Sequence, residues 1–427
     1  MIDRDPRSKA SSEAIRALLF TILCLLLLTA CEGQESSAAP FRVADSAGVA
    51  IVESTRPLWE KGEGWALSPE PEVAIGLVEG DERYLLNQVA EARRLSDGRI
   101  AVLDAGSYLL RLYDGTGRHL MDLGGEGDGP SEFRYPQFLG VVSDTLFVYE
   151  YAAGDLTWFS PDGEFLRTSN VFRQSDRETL TVVMVGYLED RFGIGIRDVG
   201  IRERTLVEGL NRPPMRIWRF DLFNSGADSL FSVPGDEVMI SFPGPGVTRH
   251  QNNVFGKTTY LAASKDRIYV APTDAFSIQV FDREGILRRI IRRDETPHRV
   301  TRSDFDRWVE QMIEILDLPP DERAEMRRSA GELSAAETMP AFRWIAVDSE
   351  DNLWVEEWQG VGLGQGRFSV FRANGAWLGY VEIPEGLHDL RREFFQPWLE
   401  IGSDYLLGIW SDDLGVEQVR LYRIEKG

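Results

Sequence analysis

The feature that most constrains this 427-residue chain is a unit that returns six times. In each copy an alternating apolar stretch ends in an aromatic residue and runs into a polar, mostly glycine-bearing turn. The copies are LRLYDGTGRHL (110–120), LTWFSPDGEFL (156–166), IWRFDLFNSGA (217–227), IQVFDREGILR (278–288), FSVFRANGAWL (368–378) and VRLYRIEKG (419–427). Their aromatic markers are Tyr113, Phe159, Phe220, Phe281, Phe371 and Tyr422. Successive strand side chains point to opposite faces, so period-two alternation entering such a turn reads as a β-hairpin. A second apolar strand precedes each copy: IAVLD (100–104), LFVYE (146–150), FGIGI (192–196), IYVAP (268–272), LWVEE (353–357) and LLGIW (406–410). From Val102 to Tyr113, Val148 to Phe159 and Val270 to Phe281 the spacing is 11 residues each time. Further strands lie upstream, in VAEARRLSDG (89–98), FLGVVSD (138–144) and WIAVDSEDN (344–352), and downstream, in HLMDLG (119–124) and FLRTSNV (165–171).

Four strands per unit and six units predict an all-β fold, a six-bladed β-propeller whose radial repetition leaves only short protected edges. The markers are separated by 46, 61, 61, 90 and 51 residues, and the excess in the fourth interval reads as helix. In SDFDRWVEQMIEIL, Phe305, Trp308, Val309, Met312, Ile313 and Leu316 recur at i, i+3, i+4 and i+7, with Ser303 as N-cap. A more polar helix follows Pro319-Pro320 in DERAEMRRSAGEL. A mostly helical insertion is therefore expected over 294–340, between blades four and five. The last unit ends with the chain and lacks its own outer strand. EPEVAIG (70–76) is expected to complete it and lock the ring, with VAIVES (49–54) added to the same edge.

The run GGEGDGPSEFRYP (124–136), the turns SPDGEFLR and DREGILRR, the stretch AFRWIAVDSEDNLWVEEW (341–358) and the opening DSAGVAIVEST (45–55) resemble bacterial six-bladed propeller lipoproteins, relatives of NHL-repeat and TolB-like propellers. The resemblance covers roughly residues 45–427. It implies a propeller with a binding surface and no defined reaction, since fold alone does not fix activity. The third copy departs from the pattern, with NSGAD (224–228) in place of its DG turn.

Arg4, Arg7, Lys9 and Arg16 precede an uncharged run, 17–31, whose centre is almost wholly apolar and short for a membrane span. A basic start, a short apolar core and small residues at the end make a signal peptide. Its end, Leu28-Thr29-Ala30-Cys31, resembles the lipobox of bacterial lipoproteins. The expected organisation is a signal peptide over 1–30, a lipidated Cys31 with its tether over 31–44, and the propeller over 45–427. This places the chain at the cell envelope, on the periplasmic face or the cell surface, with the outer membrane as one destination. Two or more acyl chains suffice for stable anchoring. Cys24 and Cys31 are the only cysteines, so the body holds neither a disulfide framework nor a Cys-ligated zinc.

The formal net charge of −22 argues against nucleic acid as a partner, because duplex binding requires Lys and Arg to neutralise phosphates. Long segments at 197–215, 234–257, 294–340 and 358–366 fall on connections expected at one face, where loops on a rigid scaffold carry ligand contacts. Candidate binding residues there are Arg134, Tyr135, Arg249, His250, Asn252, Asn253, Arg343 and Trp344, types suited to an acidic or sugar-like ligand. A second set is the acids that end the second strands: Asp104, Glu150, Asp198, Asp274, Glu357 and Asp412. Converging on a channel they suit Ca²⁺ or another hard cation; bonded to neighbouring amides they only fix loops. GGEGDGP lacks the lysine and helix of a phosphate loop and reads as a linker. No G-x-S-x-G occurs and no catalytic residue is assigned. Two functions are expected. One is a monomeric envelope module binding a protein, peptide or glycan; the alternative is a cation-dependent hydrolase, lactonase or lyase with its site in the channel.

Overall fold

The alternating copies fold as hairpins in the computed structural model, which describes residues 39–427 except 152, 173–181, 189–190, 199–205, 245–246, 317, 361–365, 385, 387–398 and 413–414. The signal peptide, Cys31 and the start of the tether lie outside the described residues. In the first copy Leu109–Tyr113 turns into His119–Gly124 through Asp114. The Asp114 carbonyl accepts the Gly117 amide at 2.9 Å, and its Oδ1 accepts the amides of Thr116 and Arg118 at 2.9 and 3.0 Å. Gly117 has φ 86°, a left-handed conformation that a side chain resists. Asp282 holds the amides of Glu284 and Ile286 in the same way in the fourth copy. The aromatic marker sits at a register shift in four copies, at Tyr113, Phe159, Phe281 and Phe371. Such bulges bend the outer strand and increase its twist. In the third copy the shift lies earlier, between Ile217 and Trp218.

Among the described residues the strands form seven sheets. The first five repeat-bearing sheets are antiparallel meanders of four strands. The first runs Val89–Arg94, Ile100–Asp104, Leu109–Tyr113, His119–Gly124, and the second Pro136–Val142, Thr145–Glu150, Asp155–Phe159, Phe165–Asn170. The third comprises Val183–Leu188, Phe192–Asp198, Pro214–Asp221, Ala227–Pro234, and the fourth Thr259–Ser264, Arg267–Pro272, Ser277–Asp282, Leu287–Arg293. The fifth comprises Phe342–Val347, Leu353–Glu357, Gly366–Phe371 and Trp377–Ile383. The sixth contains Leu399–Ile401, Tyr405–Ser411 and Glu417–Lys426 from the C-terminus. Trp65–Leu67 and Val73–Ile75 both pair antiparallel with Glu417–Lys426, placing Val73 opposite Leu421.

The expected place of VAIVES is corrected. Val49–Ser54 lies parallel on Leu287–Arg293, the outer strand of the fourth sheet, with Ala50 opposite Arg289. Phe41–Ser46 pairs outside it. The physical reason is an open edge: the outward amides and carbonyls of Leu287–Arg293 need partners. Val52 is buried there beside Ile291 and Gly375.

Neighbouring sheets share one apolar core each, and these cores exclude water from both sheet faces. Leu103, Leu112, Phe133 and Leu146 lie between the first and second sheets. Phe138, Phe147, Met184 and Phe220 join the second and third, and Ile194, Ile217 and Ile268 the third and fourth. Phe276, Phe342, Phe371 and Trp377 join the fourth and fifth, and Trp354, Phe368, Leu406 and Tyr422 the fifth and sixth. Ile75, Val102, Leu407 and Val419 join the sixth to the first.

The long interval between the fourth and fifth copies holds α1 (Arg302–Ile315) and α2 (Pro320–Ser329). Phe305, Val309 and Ile313 are buried as the periodicity requires, whereas Leu316 is exposed. The cap is Thr301, not Ser303. Thr301 and Asp304 bond reciprocally in a capping box, 2.9 Å from the Thr301 amide to Asp304 Oδ2. Val300 just outside the cap and Phe305 in the first turn join one cluster, the apolar staple that favours this entry. That cluster also takes in Val254, Phe255, Met339 and Trp358. Beside Val254 stands the seventh sheet, Gly209–Asn211, Val238–Gly244 and Val247–Asn252. Parts of all four expected insertions are therefore linked here. Lys257 pins them, its Nζ donating to the carbonyls of Thr338 at 2.7 Å and Met339 at 2.5 Å.

Candidate functional site

Around the first strands of all six repeat-bearing sheets lies a cavity of about 350 Å³. Its wall comes from the later residues of these strands. Arg93 and Arg94 come from the first sheet, Phe138 and Val141 from the second, Val185 and Tyr187 from the third, and Leu261–Ser264 from the fourth. Trp344 to Val347 of the fifth sheet and Leu399–Ile401 of the sixth complete it, with Tyr405 following. A first strand points half its side chains into each neighbouring core, so the residues that reach the cavity do so from the strand's inward edge and end.

A charged network lies in this wall. Glu91 is fully buried and pairs with the Arg93 guanidinium. Its other oxygen accepts the Leu139 amide of the second sheet at 2.6 Å, and Arg93 Nε donates to the Leu139 carbonyl at 3.2 Å. Burial pushes the Glu91 carboxyl up to about 8, against the pull of Arg93 and the Leu139 amide. Glu400 of the sixth sheet accepts the Arg94 amide at 2.9 Å through Oε2 and the Tyr405 hydroxyl through Oε1. Burial raises Glu400 as well, and burial followed by the Glu400 charge raises Tyr405. The Arg94 guanidinium lies 4.6 Å from the Tyr405 ring centroid, a cation–π distance. Tyr187 donates to the Val141 carbonyl at 3.0 Å and accepts the Val141 amide at 3.2 Å. At the rim, Asp351 receives Ser264 Oγ at 2.8 Å and pairs with Lys265 at 3.1 Å.

Of the eight binding candidates only Trp344 lines this cavity. Arg134 and Tyr135 lie before the second sheet; their amides donate to Glu150 Oε1 at 2.6 and 3.0 Å, and the Arg134 side chain pairs with Asp128. Arg249, His250 and Asn252 are exposed on Val247–Asn252. Asn253 is buried, donating to Glu237 at 3.0 Å and accepting from Ser334 Oγ at 2.8 Å. Arg343 stacks over Trp358 at 5.7 Å. The structure therefore places these eight residues at several different positions, with Trp344 alone of them in the cavity wall.

The acids of the second set lie on or just after separate sheets, and five of the six are engaged close by. Asp104 accepts the Asn87 amide and Arg111 Nε, both at 3.0 Å. Glu150 holds the two amides just named. Asp274 pairs with Arg212 at 2.6 Å, and Glu357 with Arg293 at 2.8 Å and Ser369 Oγ at 2.5 Å. Asp412 accepts the Val416 amide at 2.9 Å. Of Asp198 only the backbone is described, paired with Met215. Among the described residues no three His, Cys, Asp or Glu side chains are grouped so as to hold a metal ion.

Sequence reading missed Glu91, Arg93, Arg94, Glu400 and Tyr405. One signal was present: VAEARR carries three charges where the corresponding strands of the second and fifth sheets, PQFLGVV and FRWIAV, carry none and one.

No family model matches the chain, and no curated protein matches it. Among solved structures it is similar to a member of the DUF4221 family from Bacteroides vulgatus, 11% identical over 86% of this chain and 99% of that one, TM-score 0.49. It is also similar to a gluconolactonase from Xanthomonas campestris, 12% identical over 84% and 100%, TM-score 0.40. A third is virginiamycin B lyase from Staphylococcus aureus, 9% identical over 84% and 99%, TM-score 0.38. At these identities no activity is carried over to this chain.

Proposed function

We propose that this chain is an exported, lipid-anchored module of the cell envelope, a six-bladed β-propeller akin to NHL-repeat and TolB-like propellers, that binds a small ligand in its central channel. The observation that carries the binding reading is the cavity to which the first strands of six sheets all contribute. Rigid strands hold its wall, and aromatic rings and a few polar groups face one space, the usual make-up of a small-molecule site. The six shared cores, taken in cyclic order from the first sheet back to the first, support closure. The pairing of Val73–Ile75 with the last strand supports the N-terminal lock. Anchoring rests on the Leu-Thr-Ala-Cys31 motif alone.

The test is a thermal-shift panel of soluble metabolites against the full chain and against Ala263→Phe, which adds a ring to the cavity wall. A ligand at about 100 times its Kd adds about 2.7 kcal/mol of stability. The expected result is compounds that raise the melting temperature of the wild type and not of the variant. If every stabilising compound acts equally on both, the channel is not the site. Against the cation-dependent hydrolase, lactonase or lyase reading stands the local engagement of five of its six carboxylates, Asp104, Glu150, Asp274, Glu357 and Asp412. Melting the chain with Ca²⁺ and then with EDTA tests it, a reversible calcium-dependent rise restoring it.

A further inference from the structure

We infer that the ligand of this cavity is a small uncharged molecule bearing a primary carboxamide or a lactam, bound by the backbone N–H and C=O of Ala263 on the open edge of the fourth sheet. The inference rests on the channel-binding reading above and specifies the chemistry the channel accepts.

The first strand of each repeat-bearing sheet pairs on one side only, so alternate residues turn an amide and a carbonyl away from the ladder. On four of the six sheets a neighbour reaches across to these groups. Glu91 and Arg93 of the first take the Leu139 amide and carbonyl of the second, and the Tyr187 hydroxyl of the third takes both groups of Val141. Gln137 of the second spans Met184 of the third with one carboxamide, Nε2 donating to the carbonyl at 3.1 Å and Oε1 accepting the amide at 3.2 Å. Glu400 of the sixth takes the Arg94 amide of the first, and the Ser349 amide, just after the first strand of the fifth, donates to the Ile401 carbonyl of the sixth.

The fourth and fifth sheets differ. The Thr273 amide donates to the Thr258 carbonyl at 2.9 Å, which turns Thr258 towards its own second strand. The register from there has no shift, so Leu261 and Ala263 turn the other way. The Asp348 amide, bonded to the Asn352 carbonyl at 3.0 Å, does the same for Ile345 and Val347. All four residues line the cavity, and among the described residues no neighbouring sheet pairs with them and no side chain caps them. A cap for Ala263 would come from the third sheet, and there stands Gly186. A Cβ at Gly186 would lie 3.1 Å from the Ala263 Cβ and 3.4 Å from its nitrogen. Glycine lets the two strands approach and leaves no side chain to bond Ala263.

A polar edge facing a cavity is met by water or by ligand. The amide and carbonyl of one residue lie side by side on that edge, so one group with adjacent donor and acceptor meets both. Gln137 on Met184 shows within this chain that a carboxamide fits. A lactam presents the same pair on one side of its ring, whereas a trans peptide group points them apart. The other polar groups of the wall supply no counter-charge at this edge. Asp348 accepts from the amides of Glu350 and Asn352, the Asn352 side chain and the Trp354 indole. Ser264 and Lys265 are engaged by Asp351, Arg93 by Glu91, and Arg94 lies over Tyr405 of the sixth sheet. Ser349 is exposed. Val185, Leu261, Ile345 and Val347 make the third, fourth and fifth sheets' share of the wall largely apolar. A charge there would be desolvated without a partner, whereas burial of a ring adds to binding.

The experiment is calorimetric titration of the full chain in mild detergent with 2-naphthamide and with methyl 2-naphthoate, which keeps the ring and the carbonyl and lacks the N–H donor. Wild type, Ala263→Pro, Val347→Pro and Ala263→Phe are compared, each checked for a native circular-dichroism spectrum. Proline removes a backbone donor and is tolerated in a strand where that N–H lies outside the ladder. The expected result is naphthamide binding the wild type at least tenfold tighter than the ester does. Naphthamide binds Ala263→Pro at least tenfold more weakly than wild type and Val347→Pro equally well, and Ala263→Phe binds neither probe. Hydrogen exchange on the wild type gives a reading independent of any variant's folding: naphthamide slows the Ala263 amide and not the Val347 amide. Equal binding of both probes to the wild type, abolished by Ala263→Phe, overturns the carboxamide assignment and leaves the channel reading standing. Naphthamide binding undiminished in Ala263→Pro, or an unchanged Ala263 exchange rate, also overturns it. If neither probe binds the wild type, the carboxamide assignment falls, and the metabolite panel decides separately on the channel.

Discussion

Replacing Glu91 with glutamine should change how the stability of this protein depends on pH more than it changes stability at any one pH. Glu91 is fully buried between the first and second sheets and its carboxyl is raised from 4.5 to about 8. The folded state therefore holds a proton that the unfolded chain releases between those values. Stability contributed by the protonated group is fully present below about pH 4.5 and is lost as pH rises towards 8, by about 1.4 kcal/mol per pH unit within the window. Across the whole window the loss amounts to about 5 kcal/mol. The glutamine of Glu91→Gln does not titrate, so the variant's curve should be flatter by that one-proton slope. It starts lower, by about 1–3 kcal/mol, because its amide group faces Arg93 with a donor. Glu400, raised by the same burial, keeps some slope of the same sign in the variant. The assay is urea unfolding followed by tryptophan fluorescence at pH 5, 6, 7 and 8, with the urea dependence of the free energy checked for constancy. Parallel curves for the two proteins would refute the reasoning. They would mean that Arg93 and the Leu139 amide outweigh burial and keep Glu91 ionised throughout.

Three further outcomes are expected. Trp354→Ala removes a fully buried indole whose Nε1 donates to Asp348 at 3.0 Å, and should cost about 3–5 kcal/mol in urea unfolding. Lys257→Met breaks both buried bonds to Thr338 and Met339, costing about 2–4 kcal/mol, and limited proteolysis should then cut first within 294–340. Cys31→Ser should move the protein from the membrane fraction to the soluble fraction of fractionated cells; unchanged membrane association would remove the lipid anchor from the proposal.

The hairpins were legible because their signals are local. Tyr113 and its counterparts, the Asp114-type turns and the second strands all lie within a dozen residues of each other, and alternation alone reads as strand. The α1 stripe was legible for the same reason, although its cap depended on a staple between Val300 and Phe305 that helical spacing alone does not single out. Val49–Ser54 was recognisable as a strand, but alternation does not say which open edge a strand will join. The charged network in the cavity wall was not legible at all. Its central bond joins the Arg94 amide to Glu400, residues 306 positions apart, and Glu400 sits on a strand of three residues, too short to show a period. For the acids ending the second strands, sequence left the cation and loop-fixing readings open, because it fixes which sheet end they occupy and not what they bond. Asp104 and Glu357 each face an arginine from within their own sheet or the next.

The N-terminal strap has a consequence for the order in which this chain can assemble. After pairing with the fourth sheet, it runs across the fifth, where Ser54 Oγ accepts the Trp377 amide at 3.2 Å and the Trp59 amide bonds the Leu378 carbonyl at 2.7 Å. It then ends on the sixth sheet, where Trp65 stands opposite Lys426. Everything it grips is made late. During synthesis the strap waits through more than half the chain with no native partner, and its loop closures are among the longest that the sequence allows. Such high-contact-order pairings form slowly and late. The open edge of the sixth sheet is covered only once Glu417–Lys426 has been made, so a chain truncated anywhere before that strand keeps its N-terminus incompletely latched and open to proteases.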